Sequence, residues 1–191
     1  MEAAAPYERS ATSSAEVPAV LGQTIHRKHI KGDLSFNFAG AILAVAERLD
    51  IALLRRAAWH AVRAHQALRL RFRHCPAKGW VAFDSGMFDA NLPEVCCFAR
   101  LVPPGSAPSR GRWIAAEAQR LASDIDPFSG MPLLRLVLFD CGGQGEDRLL
   151  LAVHHFVCDG LSCQILWRDV SRAYMALRDG RPIEDRPLAI E

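Results

Sequence analysis

Apolar positions recur at three- and four-residue steps over Ile51, Leu54, Ala58, Ala61 and Val62, with Asp50 placed to cap the helix they predict. A second helical stripe runs from Leu161 to Arg178 through Leu161, Ile165, Val170, Ala173 and Leu177, and Gly180 stops it. Between them, Trp113, Ile114, Ala118 and Leu121 give a third helix, capped by Ser109 and closed at Asp126-Pro127, because the residue before proline is biased away from helix. The remaining apolar segments follow the two-residue period of strands. Leu34 to Val45 reads as a strand that Gly40 either weakens or bulges, and Leu68 to Phe72 alternates apolar with basic residues. Gly79 to Phe83 and Glu94 to Val102 read as short strands, and Pro103 to Gly111 as a loop. Pro132–Asp140 and Arg148–His155 form a hairpin across the Gly-rich CGGQGED.

Residues 1–17 lack periodicity and read as a flexible lead-in, Pro18 to Lys28 as a short helix, and 181–191 as a tail. Helices mixed with a largely antiparallel sheet make the fold class α+β, with one unit over residues 18–180.

Composition narrows the function classes. Half of the 191 residues are apolar and 23% are charged, which suits a packed core rather than a disordered chain. A net charge of +2, with no basic stripe and no phosphate-cradling glycine loop, gives no basis for a nucleic-acid or nucleotide partner. No apolar run approaches membrane-spanning length, and the first residues lack the apolar core of a secretory signal, so a cytoplasmic protein without a membrane partner is expected. Six cysteines (Cys75, Cys96, Cys97, Cys141, Cys158 and Cys163) contain no C-x-x-C pair, and the spacing of His154, His155, Cys158 and Cys163 matches no common zinc pattern. Reduced, buried thiols and no bound metal are expected.

The chemistry concentrates in His154 to Gly160. The preceding strand is apolar on both faces, hence central, and alternation sends His154 and His155 to opposite sides. The chain then enters a helix whose free N–H groups and positive dipole end favour developing negative charge beside an imidazole able to handle a proton. Two buried, hydrogen-bonded histidines are the alternative that the residues alone leave open.

HHFVCDG, residues 154–160, resembles the HHxxxDG motif of the superfamily that joins nonribosomal peptide synthetase condensation domains with chloramphenicol acetyltransferase. His65-Gln-Ala-Leu-Arg-Leu-Arg-Phe72 is similar to the upstream RHExLRTxF block, and Asp126 to Arg135 to the approach to the hairpin. The resemblance covers about residues 18–180 and implies the N-terminal lobe of a two-lobed enzyme of acetyltransferase-like fold, with 181–191 as tail or start of an inter-lobe linker. It implies amide-bond formation, in which an aminoacyl amine attacks a thioester carried on the phosphopantetheine arm of a carrier protein. No cofactor is bound directly. The partners implied are carrier domains and either a C-terminal lobe or another copy of the chain.

By the same resemblance His155 is catalytic, either as general base or by orienting the amine, and His154 is structural. Asp159 holds the motif loop by a salt bridge to Arg69, or else is a helix N-cap. Gly160 permits close backbone approach to the thioester, or is a turn glycine. Ser162 reads as a first-turn helix residue rather than a nucleophile. Ala64, Gln66 and Leu70 depart from the upstream block, and Ile25-His26 replaces an expected aromatic pair after Gln23, which puts substrate choice in doubt. ALRLRF and the wording around the motif lean toward epimerisation domains, against which Cys163 stands where those carry Trp. Epimerisation of a carrier-bound aminoacyl or peptidyl thioester, a non-catalytic carrier-docking lobe, and a small self-assembling acyltransferase are the alternatives.

Overall fold

The computed structural model describes residues 14–16, 38–84, 92–128 and 132–183. The element order is β1 (Ser14–Glu16), β2 (Phe38–Ala44), α1 (Ile51–Ala64), a 3-10 turn (Gln66–Arg69), β3 (Leu70–Cys75), β4 (Gly79–Asp84), α2 (Leu92–Cys96), β5 (Cys97–Leu101), α3 (Ala107–Ser123), β6 (Leu134–Asp140), β7 (Arg148–His154) and α4 (Gly160–Arg178). The four-stranded sheet runs β2-β7-β6-β5, antiparallel except for the parallel β5–β6 pair, and β1-β4-β3 form a smaller antiparallel sheet. This is the mixed α+β architecture that the sequence predicts.

β7 is the axis of the molecule, and its alternation builds two cores. Leu149, Leu151 and Val153 face α1 and α4, where Leu54, Ala58, Val62, Leu166 and Val170 pack. Leu150 and Ala152 face α3, against Ile114, Ala118 and Leu121. Each fully buried leucine contributes about 2 kcal/mol of transfer free energy, so a central strand covered on both faces is firmly held. α1 and α4 are joined near both ends of α1. The Asp50 N–H donates to the Tyr174 hydroxyl at 2.9 Å, and His65 Nε2 lies 3.0 Å from Asp169 Oδ2. At the start of α1, Asp50 Oδ1 accepts the Ala52 and Leu53 N–H groups at 2.7 and 3.2 Å, the cap expected of it.

Several boundaries differ from the sequence pattern, each for a local reason. The Leu68 N–H donates to His65 O, so the chain leaves α1 through a 3-10 turn and β3 begins at Leu70 rather than Leu68. The alternation also predicts an outward Arg71, which is instead 2% exposed. Pro127 and Leu133 bond to this segment: the Phe72 N–H donates to Pro127 O and the Leu133 N–H to Leu68 O. The first three residues of the strand expected over Glu94–Val102 are helical, as Pro93 and Glu94 suit a first helical turn. α3 starts inside the expected loop. Pro108 is tolerated in its first turn and Ser106, not Ser109, is the capping position.

Gly40 makes no bulge, since β2 and β7 keep an unbroken register from Phe38↔His154 to Ala44↔Arg148. A Cβ there would lie 2.3 Å from Leu151 O, so close backbone approach is what its missing side chain permits. Because α4 begins at Gly160, its buried stripe is Cys163, Leu166, Val170, Ala173 and Tyr174, and Leu161 turns outward at 67% exposure. Within the expected lead-in, Ser14–Glu16 pair with β4. The helix expected over Pro18–Lys28 lies outside the described residues. Among the described residues no helix is long and apolar enough to cross a membrane.

Candidate active site

β7 ends at His154, and the chain reverses over the next three residues. The Val157 N–H donates to His154 O at 3.1 Å, and the Phe156 N–H to His154 Nδ1 at 3.2 Å. The His154 N–H in turn donates to Leu133 O, and Leu133 N–H to Leu68 O. The two sequence blocks around Leu68 and His154 therefore meet through the backbone of Leu133. His154 is 1% exposed, and its ring lies edge-on to Phe156, centroids 4.5 Å apart, which lies edge-on to Phe72 at 5.4 Å. His154 is thus the buried member of the pair. It uses one ring nitrogen and both backbone groups to fix the turn.

That turn ends the strand before His155, so the separation of the two rings comes from chain reversal as well as alternation. His155 is exposed. Its Nδ1 lies 3.0 Å from Cys158 O. A carbonyl oxygen can only accept, so the neutral ring carries its proton on Nδ1 and leaves Nε2 as the basic nitrogen. An imidazole held in this tautomer can accept a proton at Nε2, or orient an N–H donor there, without rearranging.

Asp159 is the N-cap of α4. Its Oδ1 accepts from the Ser162 N–H at 2.8 Å and from the Ser162 hydroxyl at 2.7 Å, and these bonds, the backbone one foremost, hold its carboxyl below the usual carboxylate range. Ser162 is accordingly a first-turn residue. The salt bridge to Arg69 implied by the resemblance does not form. Arg69 instead donates to Val62 O and Arg63 O, at 3.0 and 2.7 Å, and forms a two-pronged pair with Asp84, at 3.2 and 3.0 Å. Its guanidinium is taken by carbonyls at the end of α1 and by β4, while the Asp159 carboxylate folds back onto its own helix. Arg69 ties the 3-10 turn to the end of α1 and to β4.

Gly160 is the first residue of α4. A Cβ there would have no neighbour within 4 Å, and its φ is not in the left-handed region. The space beside the helix start is open at this position. The structure thus gathers His154, His155, Asp159 and Gly160 at one strand–turn–helix junction and leaves Arg69 outside it. Asp84, Phe72, Phe156 and Leu133 were not singled out in the sequence. Nothing in sequence spacing signals Asp84 or Leu133, whereas a phenylalanine within each of the two motif blocks is a readable clue. Among the described residues no cluster of His, Cys, Asp and Glu is arranged to hold a metal ion.

A family model described as Condensation domain matches residues 22–189. A linear gramicidin synthase of Brevibacillus parabrevis is 34% identical over 142 residues, which is 74% of this chain and 3% of that protein. Among solved structures, a variant of the starter condensation domain of rhizomide synthetase superposes with a TM-score of 0.73 at 16% identity, covering 91% of this chain and 40% of that one. The epimerization domain from the third module of tyrocidine synthetase B superposes with a TM-score of 0.67 at 24% identity, covering 90% and 37%. The chain therefore spans a small part of its curated relative and about two-fifths of the solved domains.

Proposed function

The chain belongs to the condensation-domain family, and on that premise we propose that it carries the His155 half of a site for amide-bond formation between carrier-bound substrates. An aminoacyl amine, held on one phosphopantetheine arm, attacks the carbonyl carbon of an acyl thioester held on another. The C–N bond forms, the C–S bond breaks, and the amine proton goes to the departing thiolate. His155 Nε2 is the group that takes or steers this proton, because its Nδ1–H is already committed to Cys158 O. The N-terminal turn of α4, next to the junction, supports an approaching thioester, and Gly160 leaves room for it. Residues 18–180 act as one lobe, and a second lobe or another copy of the chain supplies the opposite wall.

The observation that carries this reading is the exposed imidazole with a fixed tautomer at the end of a rigid, doubly covered strand. The test uses purified protein with a second lobe supplied, given acyl-loaded and aminoacyl-loaded carrier proteins in deuterated buffer. Mass spectrometry scores amide product and deuterium at Cα. Amide product without deuterium supports condensation. Deuterium without amide product replaces it with epimerisation. Neither product, with carrier binding unchanged in His155→Ala, leaves a non-catalytic docking lobe.

A further inference from the structure

Two cysteines flank the motif's aspartate in a pattern that has its own physical meaning. With Asp159 as N-cap, Cys158 is the residue just before the cap and Cys163 is the fourth residue of the helix. These are the two positions of a hydrophobic staple, where an apolar contact fixes the angle at which the chain enters a helix. Both side chains are buried, at 5% and 8% exposure, within the core shared by α1, α4 and β7. Asp159 O joins the two residues, accepting the Cys163 N–H at 3.0 Å and the Cys158 thiol at 3.3 Å. The two thiols are near enough for each to influence the other's ionisation. The Cys158 carbonyl, oriented by this staple, is the acceptor for His155 Nδ1–H.

We propose that Cys163 is a positioning residue for His155: packed on Cys158, it holds the Cys158 carbonyl where it selects the Nδ1-protonated imidazole. The chain of contacts is short. Cys163 fixes Cys158, the Cys158 carbonyl fixes the Nδ1 proton, and Nε2 is left bare toward solvent. The thiols act as small buried apolar groups whose burial makes ionisation unfavourable, not as nucleophiles. The inference concerns the ring's proton position and rests on the proposed function only for its effect on rate.

The test is the tautomer of His155, read from long-range proton–nitrogen correlations of the ring at a pH where it is neutral, in the full chain. Wild type is expected to be dominated by the Nδ1-protonated form. In Cys163→Ala, which alters no atom of His155 or of its acceptor carbonyl, the Nε2-protonated form rises about threefold or more, the lower end of coupling between touching residues. Cys163→Val, apolar and of similar size, restores the wild-type distribution. If amide formation is measurable, kcat falls in Cys163→Ala with KM unchanged, and recovers in Cys163→Val. A loss of thermal stability in Cys163→Ala with an unaltered tautomer would overturn the proposal and reduce the staple to a fold element. Should Cys163→Ala fail to fold, Cys163→Ser, which keeps the volume and weakens the apolar contact, gives the same reading with the same two outcomes. A tautomer shift in a protein that makes no amide product upholds this inference while the proposed function fails.

Discussion

Adding one methyl group to Gly40 tests whether β2 is pressed against the strand that delivers the site. The new Cβ would lie 2.3 Å from Leu151 O, 3.0 Å from Ala152 Cα and 3.2 Å from Leu151 C, all backbone atoms of β7. Relief to even a 3.0 Å contact needs a shift of about 0.7 Å. Moving β2 that far stretches adjacent β2–β7 hydrogen bonds from about 2.9 Å toward 3.5 Å, where they contribute little. Overpacking costs about 1–3 kcal/mol, and weakening one or two hydrogen bonds about 1 kcal/mol each. The lower chain entropy of unfolded alanine returns about 0.4–1 kcal/mol. Gly40→Ala is therefore expected to lose about 2–3 kcal/mol in urea unfolding followed by circular dichroism, with the slope unchanged. Gly111 supplies the control. It lies inside α3 with open space at its Cβ position, and Gly111→Ala should gain about 0.5–1 kcal/mol. Gly40→Ala within about 0.5 kcal/mol of wild type, or a loss equal in both variants, would refute the reasoning.

Asp159→Asn is expected to destabilise the protein at neutral pH and not in acid. The depressed folded-state pKa means that the carboxylate's contribution is complete above the ordinary range of about 4 and is lost as pH falls through the folded value. Thermal melts of both proteins across pH 2–7 should thus converge at the acid end (about two units below the ordinary carboxylate pKa). Arg69→Met should cost about 2–4 kcal/mol by removing the guanidinium that Asp84 and two carbonyls share, and Asp159→Asn should add to it without coupling. A measurable coupling energy in that double-mutant cycle would restore the Arg69–Asp159 pair. Burial pushes the Cys158 thiol up to about 12 and Cys96 to about 11, so maleimide labelling of the native protein should reach half-buried Cys75 first and these two only on unfolding.

How much of this was legible in the sequence depends on the range of the interaction. Local periodicity located α1, α3, α4 and the β6–β7 hairpin, and identified β7 as central, because each signal lies within a few residues of itself. It failed where long-range cover overrides pattern. Arg71 is buried in a segment whose neighbours bond to the distant Pro127 and Leu133, and no spacing around Arg71 carries that information. The motif placed His155, Asp159 and Gly160 at one junction, and alternation separated the two histidines. The choice between cap and salt bridge for Asp159 was not legible. It turns on whether the Arg69 guanidinium reaches α4 or is consumed by α1 and β4, a matter of tertiary packing. The tautomer of His155 likewise depends on a carbonyl three residues on, whose direction is set by the turn.

The central claim is that His155 performs the chemistry, and its most direct test is the single-turnover rate of amide formation with both carriers saturating and a second lobe supplied. The account predicts a fall of about 10²–10⁴-fold in His155→Ala, the usual contribution of a positioned acid–base group, with carrier binding unchanged. Amide product formed by His155→Ala at the wild-type rate would contradict it.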